Sequence, residues 1–535
     1  MRTTFKAIKS HIFAIAKIVF ICTLISCQNK DIRYLPTFKE IDSRFLIDKN
    51  DIYISIHDKD RYKIVNIKDP QTSIIASKNS LFHPFIFKNR LIALEDIANK
   101  GYYTATDDII KNLCGPSGFD QLYSLNNGQL LIFKELNDPS VFLLDSVKMK
   151  KVRIVTAIGK MNGAVYHKSS NSVYLSFDNL LESINLDTYR QTMIAPEFRG
   201  AKINLSLSEN NLYFTSNSSW NYYAIYKLDL LEPKSNPMLV YKSNHDLCQP
   251  VQNKRYLYFT EVVNAEYILK RMDLVTRNIA TLTKKGVVYD FQFTNDRMYF
   301  SYSDLNFPKC LIGYQETKKS YQHIPVKNDS VNGFSFKSFD MAGSHGFEIS
   351  KNRVKTKGIV IFLHPGFQSN YSPRFDDLVN NVCINGYRVI SLNFPTSSGY
   401  GKRFLESDYD SAVGSVSRCT EILKEKYKLP FFFISVSAAN PLMETLCESA
   451  SVNGAVSLFG IPKISINTSS KIPTLYILGK QDRLINADQR EKQIRNAKNN
   501  NFSCIMYPEE GHWFRADKNL NSAIAAIITF FENHS

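Results

Sequence analysis

Over the first 330 residues, apolar positions come in short bursts rich in Tyr, Phe, Ile and Val, separated by polar turns. The bursts run Ile52–Ser55, Leu91–Leu94, Leu130–Phe133, Val173–Ser176, Leu212–Thr215, Leu257–Thr260 and Met298–Ser301, at steps of 39 to 45 residues. β-branched and aromatic residues between turn signals predict strands. A second apolar run closing on a turn Asp follows in several units: Phe142–Asp145, Ile184–Asp187, Tyr226–Asp229 and Arg271–Asp273. An even step near 40 residues with several strands per unit predicts a β-propeller of about seven blades over 40–330. A tandem of β-sandwiches would not keep so regular a step.

From about Phe336 the pattern becomes strand, helix, strand. Gly358–Leu363, Tyr387–Asn393, Phe431–Ser435, Ala455–Leu458, Thr474–Leu478 and Phe502–Met506 read as buried strands. Helical spacing fills Phe375–Asn385, Val413–Tyr427, Pro441–Ser449, Ala487–Ala497 and Leu520–Phe531. This alternation predicts a parallel sheet covered by helices on both faces over 336–535, with chemistry at the carboxyl ends of the strands. Three residues there have the types and order of a nucleophilic triad: Ser437 after Phe431–Ser435, Asp482 after Thr474–Leu478, and His512 after Phe502–Met506. A hydroxyl becomes a nucleophile when an imidazole takes its proton, and a carboxylate fixes the imidazole tautomer. Ser437 sits in Ser435-Val-Ser-Ala-Ala439, whose small residues suit a tight strand-to-helix elbow although the G-x-S-x-G glycines are replaced.

At the other end, Arg2, Lys6, Lys9 and Lys17 precede an apolar run, Ile18–Ile25, too short to span a bilayer but suited to a signal peptide. It ends in Leu24-Ile25-Ser26-Cys27, which resembles a bacterial lipobox. That resemblance implies cleavage after residue 26, lipid on Cys27, a tether over 27–39, and a protein anchored to a membrane of the bacterial cell envelope. An ordinary signal peptide, or a buried Cys27, is the plainer alternative.

Composition narrows the picture. The 535 residues are 44% hydrophobic and 22% charged, which suits folded domains rather than disorder. The net charge of +16 is spread along the chain, which reads as a solvated surface and leaves no nucleic-acid footprint. Nine cysteines without CxxC spacing or Cys/His clusters suggest neither a disulfide framework nor a metal site.

The C-terminal part resembles the catalytic domain of the prolyl oligopeptidase family (S9) of serine peptidases, which also carries an N-terminal propeller. The resemblance rests on Phe362-Leu-His-Pro-Gly-Phe367 against the family's H-G-G-P loop, and on Gly386–Asn393 with Ser397-Ser-Gly-Tyr-Gly401. It extends through Ile472–Leu475 with Gln481-Asp482 and Gln489, and ends in Tyr507–His512 against Y-x-x-E-G-H. It implies a serine peptidase hydrolysing short peptides without a metal or organic cofactor. Ser437 would be the nucleophile, Asp482 the acid and His512 the base. The oxyanion hole would use the Ala438 amide plus a group from the His364 loop, at Gly366 or Phe367. The chain departs from the pattern at Pro365, which removes a backbone donor, and at Pro395-Thr396, where the family has Arg-Gly. It departs again at Asn440, where the family often has an aromatic. An esterase on small acyl esters, and a degenerate propeller–hydrolase that only binds a partner, remain the alternatives.

Overall fold

The computed structural model describes residues 161–535 apart from short breaks at 178, 295–296, 325–330, 332, 450, 462–470, 483 and 498–500. Before 161 it describes Arg33 and the strands between 40 and 156. Cys27 and the signal segment lie outside the described residues.

The N-terminal half is a ring of antiparallel sheets. Blade 1 spans Glu40 to Ser77, blade 2 Leu81 to Ala105 and blade 3 Gln121 to Thr156. Blade 4 spans Met161 to Met193, blade 5 Ile203 to Tyr241, blade 6 Asp246 to Thr281 and blade 7 Val287 to Ile324. Each is four-stranded except blade 2, which has three strands among the described residues. Blades 6 and 7 are joined by one parallel pairing, Tyr267 with Val287. The seven recurrent bursts of the sequence are the second strand of each blade. They alternate hard with turns because a second strand is paired on both sides and buried on both faces, as Ser172–Phe177 is along its whole length. Blade 1 closes the ring against blade 7. Phe45, Ile52, Ile54, Ile56 and Val65 pack on Leu311, and Gln292 Nε2 donates to Phe45 O at 2.5 Å.

The C-terminal half is one eight-stranded sheet. Its strands are β1 (Phe334–Met341), β2 (Ser344–Lys351), β3 (Gly358–Leu363), β4 (Tyr387–Asn393), β5 (Phe431–Val436), β6 (Gly454–Leu458), β7 (Thr474–Gly479) and β8 (Phe502–Tyr507). They lie in the order β1-β2-β4-β3-β5-β6-β7-β8, with β3 to β8 parallel and β1 and β2 antiparallel. The leading hairpin is not anticipated from the sequence. The helices are α1 (Asp377–Ile384), α2 (Lys402–Leu405), α3 (Tyr409–Tyr427), α4 (Asn440–Ser449), α5 (Ala487–Asn496) and α6 (Asp517–Asn533). Along β3, Val360 and Phe362 face a core with α1 and α6, built on Val379, Val382, Ile524, Ile527 and Phe531. Ile359, Ile361 and Leu363 face a second core with α3 and α4, built on Val416, Leu423, Leu442 and Leu446. A strand covered on both faces loses the polar half of its alternation, so it reads as a continuous apolar run.

The two halves are stitched together. Propeller residues Ala265 and Leu305 enter the hydrolase core. Asn306 exchanges two hydrogen bonds with the Phe334 backbone, 2.9 and 3.1 Å. Asn221 accepts from Lys402 N (2.5 Å) and, through Oδ1, from Arg403 N (3.0 Å). Arg33, upstream of the ring, pairs its backbone N–H and C=O with the Asn385 side chain, 2.8 Å each.

Candidate active site

The site is assembled at the carboxyl ends of β5, β7 and β8. After the extended Val436, the chain turns sharply at Ser437, whose φ of +53° is left-handed, and enters a helical turn continued by α4. A non-glycine residue in that region costs about 1–2 kcal/mol and persists only where packing enforces it. Here Ser435 and Ala439 are fully enclosed, and a Cβ on Gly460 would overlap Ser457 Oγ. Asn440, buried in the first turn of α4, donates to Ile461 O at 3.0 Å, while Ser437 O accepts from Ile461 N at 3.1 Å.

Asp482 lies in the turn after β7. Its Oδ1 accepts from Leu484 N (2.9 Å) and Ile485 N (3.1 Å), which leaves Oδ2 for His512 Nδ1 at 2.7 Å. The other ring nitrogen, Nε2, stands 2.7 Å from Ser437 Oγ. The Asp482 side chain is buried, at 2% exposure, while His512 is partly open at 27%; the carboxylate is shielded and the imidazole can reach a substrate. With Nδ1–H donating to Asp482, Nε2 is the lone-pair nitrogen that can take the serine proton.

Backbone contacts fix the relay. Gln481 N donates to Glu510 O (2.8 Å) and Lys480 N to Tyr507 O (2.9 Å), so the Asp loop and the His loop run together. A Cβ on Gly479 would overlap the carbonyl oxygens of Gly511 and Glu510, which is why glycine is required there. Glu510, almost wholly buried, accepts from Arg515 N (2.8 Å), Ala516 N (3.2 Å) and Asn519 Nδ2 (2.7 Å). It anchors the His loop to the start of α6, where a carboxylate also meets the positive end of the helix dipole.

Of the residues expected at an oxyanion hole, Ala438 stands in the first turn of the helix, where N–H groups lack intrahelical acceptors. Gly366 adopts a left-handed φ of +73°, and Phe367 follows it. The His364 ring is placed differently. Its Nε2 meets Ser397 Oγ at 2.8 Å, its Nδ1 meets Pro365 O and Ser369 Oγ at 3.2 Å, and the ring stacks on Phe394. Burial pushes its pKa down to about 4, so the ring is neutral near pH 7 and holds the loop.

A cavity of about 850 Å³ opens beside the triad between the two halves. The hydrolase contributes Pro365, Gly366, Arg374, Val436 and Trp513, and the propeller contributes Tyr267, Tyr289, Ser303 and Lys309. Two of the lining residues, Val436 and Trp513, are the chain neighbours of Ser437 and His512. Apart from Pro365 and Gly366, sequence reasoning missed these lining residues. Trp513, adjoining the Y-x-x-E-G-H stretch, was within reach of it. Arg374 and the propeller residues carry no local signal, because only the fold brings them together. Among the described residues no group of three or more His, Cys, Asp or Glu could hold a metal ion.

Comparison with known proteins bears on the fold. The dienelactone hydrolase family matches residues 443–529, a stretch that holds Asp482 and His512. No curated protein matches the chain by sequence. Among solved structures, a puromycin-hydrolyzing peptidase of Mycobacterium tuberculosis superposes with a TM-score of 0.77 at 11% identity, covering 94% of this chain and 95% of that one. Oligopeptidase B of Leishmania major gives 0.76 at 10% identity, covering 97% and 90%. An acylaminoacyl peptidase of Pyrococcus horikoshii gives 0.66 at 10% identity, covering 92% and 96%. Over nearly its whole length, then, the chain has the fold of the prolyl oligopeptidase and acylaminoacyl peptidase family (S9), a propeller-like β region followed by an α/β-hydrolase domain.

Proposed function

We propose that the protein is a serine peptidase of the prolyl oligopeptidase type that hydrolyses short peptides through an acyl-enzyme on Ser437. The observation that carries this reading is the continuous relay Ser437–His512–Asp482, two contacts of 2.7 Å, mounted on a left-handed elbow. In the first step His512 Nε2 takes the Ser437 proton as Oγ attacks the carbonyl carbon. The imidazolium is stabilised by Asp482, and the negative oxygen forms near the Ala438 amide and the Gly366–Phe367 turn. His512 then gives its proton to the leaving amine. Water, activated by the same nitrogen, frees the acid and restores the serine. Nothing in this sequence calls for a metal or organic cofactor. The likeness of residues 443–529 to dienelactone hydrolases favours an esterase as the second reading; the propeller-plus-hydrolase fold shared with peptidases over nearly the whole chain favours the peptidase.

Labelling with a fluorophosphonate tests the chemistry. The wild type should take up one equivalent and Ser437→Ala none; an unlabelled wild type would leave a binding protein. Parallel assays on peptidyl and acyl ester chromogens separate peptidase from esterase. We further propose, on the lipobox-like Leu24–Cys27 alone, that the protein is lipid-anchored at the bacterial envelope. Metabolic labelling with an alkyne fatty acid should mark the wild type and not Cys27→Ser.

A further inference from the structure

Arg374 stands on the loop between β3 and α1, in the wall of the cavity shared with the propeller. Arg374 is exposed, and the cavity it lines takes its wall from both halves of the molecule. Its described partner is the Tyr289 hydroxyl from blade 7, and it makes no ion pair within 4 Å among the described residues. Tyr289, Asp376 and Tyr371 raise its pKa further, so the guanidinium is held charged. Lys309, also from blade 7, lines the same cavity and places its ammonium 4.8 Å from the centre of the Tyr289 ring. Two cations from opposite domains therefore converge on one tyrosine. Asp376 and Asp377 share the wall, yet Asp376 is turned to the amides of Leu378 and Val379 as the cap of α1. A guanidinium exposed in a cavity wall is open to an incoming anion, and its planar fork fits a carboxylate with two parallel hydrogen bonds.

We propose that Arg374, assisted by Lys309, forms a carboxylate-binding subsite in the interdomain cavity, so that the preferred substrates are peptides carrying a carboxylate close to the scissile bond. The proposal rests on the peptidase reading and adds the substrate class. The carboxylate can be a free C-terminus or an Asp or Glu side chain; both present the same two oxygens. Because the cations come from both domains, a carboxylate bound there also bridges them.

The test uses two pairs of fluorogenic peptides with one neutral core: a free C-terminal acid against its amide, and an internal Glu against Gln in the amide form. The wild type should favour the acid member of one pair by at least tenfold in kcat/KM, chiefly through KM, and the responding pair identifies the source. In Arg374→Met the acid-to-neutral ratio should fall to within about twofold of one. Arg374→Lys should keep an intermediate ratio, and Lys309→Met, on a separate domain, should lower it several-fold. Equal use of acid and neutral members by the wild type, or a ratio unmoved in both Arg374→Met and Lys309→Met, overturns the subsite. Calorimetry of the same peptides on Ser437→Ala separates the two proposals. Acid-selective binding there with an unlabelled wild type keeps the subsite and removes the peptidase; labelling without acid selectivity does the reverse.

Discussion

At the scale of single residues, the candidate nucleophile sits where the backbone is strained. Ser437 is held at a φ of +53°, and the strain comes from Cβ, not from the hydroxyl. Comparing Ser437→Gly with Ser437→Ala isolates that term, since neither retains Oγ. The glycine variant should be the more stable by about 1 kcal/mol in chemical denaturation, after allowing for the looser unfolded chain of glycine. Equal stabilities would mean that the elbow is relaxed. His364 makes the complementary point. Its folded pKa of about 4 lies below the ordinary 6.5, so the unfolded chain binds the extra proton first as pH falls. Its contribution is complete above pH 6.5 and is lost progressively down to about pH 4, at about 1 kcal/mol per pH unit. Unfolding measured from pH 7 to 4 should therefore be less steeply acid-sensitive in His364→Gln than in the wild type. The sequence pointed to His364 as part of an oxyanion loop but could not say which way its ring faces; that depends on Ser397 and Phe394, thirty residues along the chain.

At the scale of elements, the triad depends on two loops lying against each other. Gly479 closes β7 with no room for a side chain against Gly511 and Glu510. Gly479→Ala should push the His loop off the Asp loop and lower kcat at least a hundredfold, with fluorophosphonate labelling slowed in step; near-normal labelling would show that the loops can part without breaking the relay. The parallel strands and their helices were legible in the sequence because each is a contiguous run with its own period: Tyr387–Asn393 is an apolar run before a polar turn, and α3 repeats its apolar face through Val416, Cys419 and Leu423. The β1–β2 hairpin was not legible. Its outer strand has the uneven exposure of an edge, Phe334 buried and Lys337 exposed, and such a pattern beside the last blade reads as more propeller. Likewise α2, a single turn, is too short to impose a period.

At the scale of the molecule, the repeat of about 40 residues was visible because every blade buries its second strand in the same way, while the joining of the two halves was not, since it depends on scattered polar contacts such as Asn221 and Asn306. On the proposed peptidase reading, those contacts bear on function through the size of what can enter. A cavity of about 850 Å³ is roughly 12 Å across if rounded, which holds about three to four residues of extended chain. A longer substrate must either project through an opening or part the halves. Parting them breaks the paired bonds of Asn306 to Phe334 and those of Asn221 to Lys402 and Arg403. Each such bond contributes about 1 kcal/mol. In a length series with one fixed cleavage sequence, kcat/KM should therefore be highest for peptides of a few residues and fall at least tenfold by about thirty. Asn221→Ala, which lies outside the cavity wall, should flatten this decline by several-fold in favour of the long members. A wild type that cuts thirty-residue and five-residue peptides equally well would show that the seam does not gate access.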